Sequence, residues 1–208
     1  MLQNLFRATL RFAVRNKTLF LINLAGLGIG VASFLVLMLY VGYELTFDKQ
    51  HPDHERIYRL RGVIVSDNLV NEIALSPASY GPAMKEHFPE IEDFFRITVN
   101  PFAVSNEERD IHFNEERFGY ADSSLFRFFA FRLKHGNQLT ALVKPYSLVL
   151  TPSAAVRYFG NENPVGKTLR VANTLDFTVT GVLEEDPNHT HLDFDFLGSF
   201  STLYSVPV

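Results

Sequence analysis

The chain has 208 residues, 47% of them hydrophobic, with 20 Phe, no Trp and no Cys. Absence of Cys excludes disulfides, thiol catalysis and Cys-based metal sites together. The net charge is −4 and no basic patch emerges beyond the first seventeen residues, which argues against nucleic acid as a partner.

The N-terminal segment 1–17 is basic and carries no acidic residue. On a helical wheel Leu2, Leu5, Phe6, Phe12 and Ala13 share one side, while Arg7, Arg11 and Arg15 stand four apart on the other, followed by Lys17. Two readings stay open. The segment is an amphipathic elbow lying in the inner headgroup layer, or it is a charged flank that only sets topology.

Residues 18–43 carry no charged side chain. As a helix the run is roughly 39 Å long, against a hydrocarbon core of about 30 Å, so it can span a bilayer with some tilt. A cleaved signal peptide has a shorter apolar core and a small-residue cleavage site. This run is longer and ends in Leu39, Tyr40, Val41, Gly42 and Tyr43, so it reads as a retained transmembrane helix. Basic residues precede it, and Glu44 and Asp48 follow before Lys49. Basic flanks stay cytoplasmic, which places the N-terminus inside and the following domain outside. Tyr40 and Tyr43 fit an aromatic belt at the outer interface. Gly26 and Gly30 form a GxxxG, and Gly28 with Ala32 repeats the spacing. Such small residues let helix backbones approach closely, so the span is expected to pack against another transmembrane helix, although Gly is also common in spans that do not.

Residues 44–208 read as a mixed α+β extracytoplasmic domain stabilised by its core alone. Arg56–Val65 alternates and is rich in branched residues, predicting a strand. Pro77–His87 is expected to be a helix with Ser76 as its N-cap, ending at Pro89. With a strand over Ile91–Val99 it would form a β-α-β unit. Short strands are predicted near Phe102–Val104 and Arg117–Ala121, and a short helix over Ser123–Phe129. Tyr146–Leu150 is a strand. Thr151 caps a helix over Pro152–Phe159, which stops at Gly160. Thr168–Val171 and Phe177–Val182 read as a hairpin across Ala172–Asp176.

Three motifs suggest ligands. The loop Gly160–Thr168 resembles a phosphate loop, but it has five residues between its glycines, a strand-like continuation and Pro164 in place of an N–H donor. Lys167 then reads as a solvated loop residue. In HTHLDFDF, the residues His189, His191, Asp193 and Asp195 would share one face of a strand and could hold a divalent metal. Simple alternation, with an exposed polar face and Leu192, Phe194 and Phe196 buried, explains the spacing better. His51, Asp53 and His54 read as positioning residues beside the membrane, with Pro52 imposing a turn. Neither G-x-S-x-G nor H-E-x-x-H occurs, and no carboxylate pair stands out. Nothing in the sequence supports catalysis, a metal or a cofactor.

The segments NLAGLGIGVASFLVL, FDKQHPDHERIYR and LTPSAAVRYFGNENPVGKT, with FTVTGVLEEDPNHTHLDFDFLGSF, together resemble the start of a MacB/FtsX-type ABC transporter permease with its MacB-like periplasmic core domain. The resemblance covers essentially the whole chain. It implies a bacterial inner-membrane subunit without catalytic activity, its domain built from porter-like β-α-β units and a small β-rich part. It implies a cytoplasmic ABC ATPase as partner, contact with membrane lipid, and a homodimer or pseudo-dimer of permeases. Motion would pass from the ATPase through the span to the periplasmic domain, for export or release of a substrate. Arg7, Arg11, Arg15 and Lys17 would form the cytoplasmic elbow, and Gly26, Gly28, Gly30 and Ala32 the helix-packing face. Such permeases carry further spans after the domain, and this chain shows none up to Val208. The resemblance therefore predicts a fragment of a longer permease, its domain incomplete at the C-terminus. A single-pass sensor or adaptor domain, without transport activity, is the alternative.

Overall fold

The computed structural model describes residues 11, 15–49, 51, 53–66, 69–185, 187 and 190–205. Most of the segment 1–17, including Arg7, and also His189 lie outside the described residues. The chain divides into two units, Met1–Phe47 and Asp48–Val208.

In the first unit, helix α1 (Lys17–Glu44) has 28 residues and no buried side chain. Its mean hydropathy is 2.3, and it is the one helix among the described residues that is long and apolar enough to cross a membrane. At about 1.5 Å per residue it reaches roughly 42 Å. The predicted span 18–43 lies within it. The helix closes without glycine: Leu45 N–H bonds to the Val41 carbonyl, and Thr46 donates to the Tyr43 carbonyl through both its N–H (3.1 Å) and its hydroxyl (2.7 Å).

The second unit is organised around a sheet whose pairings close on themselves. β3 (Ile97–Asn106) and β4 (Ile111–Ala121) form a long hairpin. β4 runs parallel to β9 (Phe196–Ser199), which is antiparallel to β6 (Ser147–Leu150). β6 runs parallel to β8 (Leu175–Leu183), β8 pairs antiparallel with β7 (Thr168–Val171), and β7 returns to β3. The ring leaves one extra strand, β5 (Leu133–Gly136), paired to the end of β8.

Two cores follow from the period-two alternation of these strands. Val104, Phe118, Leu148, Leu169, Phe177 and Phe196, one from each of the six strands, meet in one cluster that fills the ring. Helix α4 (Pro152–Phe159) joins it through Ala154, Ala155, Tyr158 and Phe159. The alternate residues Ala121, Val149 and Leu197 face a second cluster with Leu125, Ala141, Leu142 and Phe194. Phe129 and Phe131 pack against that second cluster, beside helix α3 (Leu125–Phe128). Burial of one such Phe or Leu contributes about 1.5–3 kcal/mol.

The α+β class is as expected, and α4 has the predicted bounds. The Thr151 hydroxyl accepts the Ala154 N–H at 3.2 Å, Pro152 opens the first turn, and Gly160 takes φ +66° beyond the last. The β7–β8 hairpin forms where predicted.

The N-terminal half of the domain departs from expectation. Arg56 belongs to a 3-10 turn (His54–Arg56), and the strand after it is only β1 (Gly62–Ser66), paired with β2 (Leu69–Ile73) in a separate hairpin. Among the described residues 56–99 no β-α-β unit forms, because β1 does not pair with β3. Helix α2 starts later than predicted, at Tyr80 (Tyr80–His87), since the Pro77 carbonyl closes a turn with the Tyr80 N–H. Residues 91–96 are held by side chains instead of a ladder: the Ser124 hydroxyl binds the Phe94 carbonyl, and the Asp122 carboxylate accepts from the Arg96 N–H. β3 is one strand rather than two. Pro101 lacks a ladder N–H, and the sheet absorbs this with a bulge between Asn100 and Phe102. A parallel crossover does exist later, where β6, α4 and β7 lead to β8 alongside β6.

Candidate functional site

The segment on which the domain begins is bonded into its core. Asp48 and Asp53 both take left-handed backbone conformations (φ 57° and 55°), which Asp adopts more readily than most residues, and so turn the chain on either side of His51. His51 is 3% exposed. Its ring lies edge-on to Phe129 at 4.9 Å and tilted against Phe131 at 5.7 Å. The Ala130 N–H donates to its Nδ1 at 3.0 Å. A nitrogen that accepts carries no proton, so the neutral ring holds its proton on Nε2. That nitrogen faces the Thr190 hydroxyl at 3.4 Å and Asp48 at 3.5 Å.

Asp48 completes the cluster. It accepts the His191 N–H at 3.2 Å and pairs with His191 Nδ1. Thr190 donates to Asp48 and accepts the Leu192 N–H at 3.3 Å. Burial works to raise the Asp48 carboxyl, but the hydrogen bonds from Thr190 and His191 outweigh it and hold it below its ordinary range. Burial lowers the His51 imidazole, Asp48 opposes that shift and His54 adds to it. Asp48, His51 and Thr190 are a catalytic triad by composition but not by geometry. In a triad the acid holds one ring nitrogen and the nucleophile faces the other. Here both lie on the Nε2 side and a backbone N–H occupies Nδ1, so the arrangement fastens the chain and does not relay a proton.

A second set of charges fastens the segment that follows. Asp195 is buried and accepts from Arg117 Nη2 at 2.7 Å, and from Arg117 Nε and Arg157 Nη2 at 3.3 Å each. Asp193, exposed, takes Arg117 Nη1 at 2.8 Å. Arg157 continues to Glu115 at 3.1 Å, and the buried Tyr158 hydroxyl donates to Glu115 at 2.8 Å. Burial, then the Glu115 carboxylate, pushes the Tyr158 phenol well above its ordinary range. The ladder joins residues 193–195, β4 and α4. Arg96 makes a third junction. It grips Asp122 with two nitrogens, each at 2.8 Å, and bonds to the Ala78 carbonyl and the Tyr204 hydroxyl. Its guanidinium lies 4.1 Å from the Phe200 ring centroid.

These contacts reassign the suggested ligand sites. Of HTHLDFDF, the described residues 190–195 form no strand, and β9 begins at Phe196. Asp195 is not on an exposed face, because the Arg117 and Thr151 backbones bind its own backbone and draw the carboxylate inward. Among the described residues no group of three or more His, Asp and Glu is placed to hold a metal ion. Lys167 pairs with Glu162 instead of standing free, and the Gly166 and Lys167 N–H groups bond to Val179 and Pro164. Those donors are therefore not presented to a phosphate. His51 was expected to position the chain beside the membrane; the structure bonds it into the domain. Its burial was not legible, since its partners lie far away along the chain. Gly26, Gly28 and Gly30 lie on α1, where an added Cβ would meet open space beyond the helix's own backbone, and Ala32 is exposed. Arg11, Arg15 and Lys17 are exposed.

The sequence profile of the MacB-like periplasmic core domain matches residues 20–207. Among solved structures the chain is similar to a domain named for a permease protein from Porphyromonas gingivalis, with 21% identity, a TM-score of 0.55, and coverage of 67% of this chain and 57% of that one. It is also similar to the periplasmic region of MacB from Actinobacillus actinomycetemcomitans (22% identity, TM-score 0.45, 60% and 54% covered). A third similarity is to the extracellular domain of the noncanonic ABC-type transporter YknZ from Gram-positive bacteria (18% identity, TM-score 0.41, 53% and 56% covered). No curated protein matches the chain. The chain spans a little over half the length of these solved relatives, and the likeness to the first is one of fold.

Proposed function

This chain belongs to the MacB-like periplasmic core domain family, and on that footing we propose that it is the N-terminal part of an ABC transporter permease. The observation that carries the reading is the extent of the match. It begins inside α1 at residue 20 and runs to residue 207, so the apolar helix and the domain form one family unit. In this reading residues 1–17 are a cytoplasmic elbow, 18–43 the span and 44–208 the periplasmic domain in the bacterial inner membrane.

The chain itself performs no chemistry. ATP is hydrolysed by a separate cytoplasmic ABC ATPase, and the span carries the resulting motion outward. The bonding of Asp48 and His51 supports this, because the first residues of the domain are held by its core and a displacement there is passed on. Arg7, Arg11, Arg15 and Lys17 rest among inner-leaflet headgroups, where basic side chains are favoured. Gly26, Gly28, Gly30 and Ala32 seat neighbouring helices of a homodimer or pseudo-dimer.

The test is affinity capture of the chain from mild detergent in its native cell, with mass spectrometry and an ATPase assay. An ATP-hydrolysing subunit should co-purify, and Gly26→Leu with Gly30→Leu should reduce the ATPase recovered. Recovery of the chain alone, without ATPase activity, overturns the reading in favour of a sensor or adaptor.

A further inference from the structure

His51 occupies a place where gaining a proton and keeping its hydrogen bonds are incompatible. Its Nδ1 accepts the Ala130 N–H at 3.0 Å, and its ring packs edge-on to Phe129 and tilted against Phe131. A protonated imidazole has an N–H on both nitrogens. Nδ1–H and the Ala130 N–H would then be two donors pointing at each other. We propose that His51 is an acid-released latch, whose protonation frees the Ala130 amide and with it the hold of the domain core on His51. The inference rests on the geometry of the domain alone and goes beyond the transport reading.

The charged groups around His51 set the balance. Asp48, 3.5 Å from Nε2, favours the cation. His54 opposes it, burial opposes it more, and the net effect holds the imidazole below its ordinary range. His191 pairs with the same Asp48 carboxylate. Among the described residues the remaining neighbours, Thr190, Ala130, Phe129 and Phe131, are uncharged. On the neutral side every polar group is satisfied: Ala130 N–H on Nδ1, Nε2–H on Thr190, and Thr190 on Asp48. On the acid side the Ala130 N–H has lost its acceptor on the domain.

The sign is fixed by linkage. The folded state binds His51's proton less readily than the unfolded chain does. Stability from this residue is therefore complete above the unfolded value near ~6.5 and falls as pH drops toward the lower folded value.

The experiment is ¹⁵N NMR of the whole chain in detergent micelles, with His and Ala labelled, from neutral to about pH 4.5. The latch predicts the Nε2–H tautomer at neutral pH and a His51 midpoint below the ordinary value. Ala130 amide exchange, corrected for its intrinsic pH dependence, should rise about tenfold or more through that midpoint. In His51→Asn the side-chain carbonyl can stand where Nδ1 does and accept without titrating, so Ala130 should stay protected at pH 5. A His51 midpoint at the ordinary value with an unmoved Ala130 amide overturns the proposal. So does the same acid opening in His51→Asn. Should that variant fail to fold, the wild-type titration decides by itself.

Discussion

Asp195 and Asp193 bind the same arginine from opposite sides of the solvent boundary, which makes them a matched pair for mutation. Replacing Asp195 with Ala removes a side chain only 9% exposed, which accepts from Arg117 twice and from Arg157 once. Breaking a fully buried pair by deleting one partner costs about 3–5 kcal/mol. Arg117 and Arg157 keep 49% and 37% of their side-chain surface in water. Each also retains one carboxylate, Asp193 and Glu115 respectively. The freed cations are thus partly solvated, and the cost falls to about 2–3 kcal/mol. In a domain of this size that lowers the thermal midpoint by roughly 4–12 °C. Asp193, 72% exposed, contributes one surface pair, so Asp193→Ala should change stability by no more than ~0.5 kcal/mol. Thermal and urea unfolding of the whole chain in detergent, followed by near-UV circular dichroism, reads both variants. Equal losses for the two would refute the argument that burial gives the ladder its weight.

Further outcomes follow from the same geometry. Thr151→Ala should cost about 1–2 kcal/mol in urea unfolding, because the Ala154 N–H loses its acceptor at a buried helix start, and Thr151→Ser should recover most of it. Gly136→Ala should cost roughly 2 kcal/mol or more, since φ is +98° and the added Cβ would stand 2.3 Å from the Thr180 carbonyl oxygen; protection of the β5 amides should fall with it. At Asp93 burial works to raise the carboxyl, but bonds from Lys85 and the Phe94 N–H, with the Arg127 charge, hold it below its ordinary range. Its contribution, like that of Asp48, is present above the unfolded value near ~3.9 and lost as pH falls through the lower folded value. A plot of thermal midpoint against pH should therefore steepen below about pH 4 and be flatter there in Asp93→Asn; an unchanged slope in that variant counts against it.

Several elements were legible in the sequence because their causes are local. The apolar run of α1 needs no partner to be recognised, since length and lack of charge define it. Thr151, Pro152 and Gly160 bracket α4 because a cap, a first-turn proline and a glycine stop act within a turn of their own position. The β7–β8 hairpin joins neighbours in the chain, and the motifs around FDKQHPDHER and LTPSAAVRYF marked the family.

Other features depended on residues that meet only after folding. The gap between the strands read at Ile91–Val99 and Phe102–Val104 is bridged by a bulge that β4 accommodates. The β-α-β unit expected over residues 56–99 gave way to a hairpin, as β3 pairs with β4 and β7 instead. Closure of the ring, the burial of His51 against Phe129 and the capture of Asp195 by Arg117 and Arg157 are all long-range. Spacing along the chain carries the periodicity of one element. Which element lies opposite it, and hence whether a His or an Asp is solvated, bonded or buried, is decided by the pairing of strands far apart in sequence.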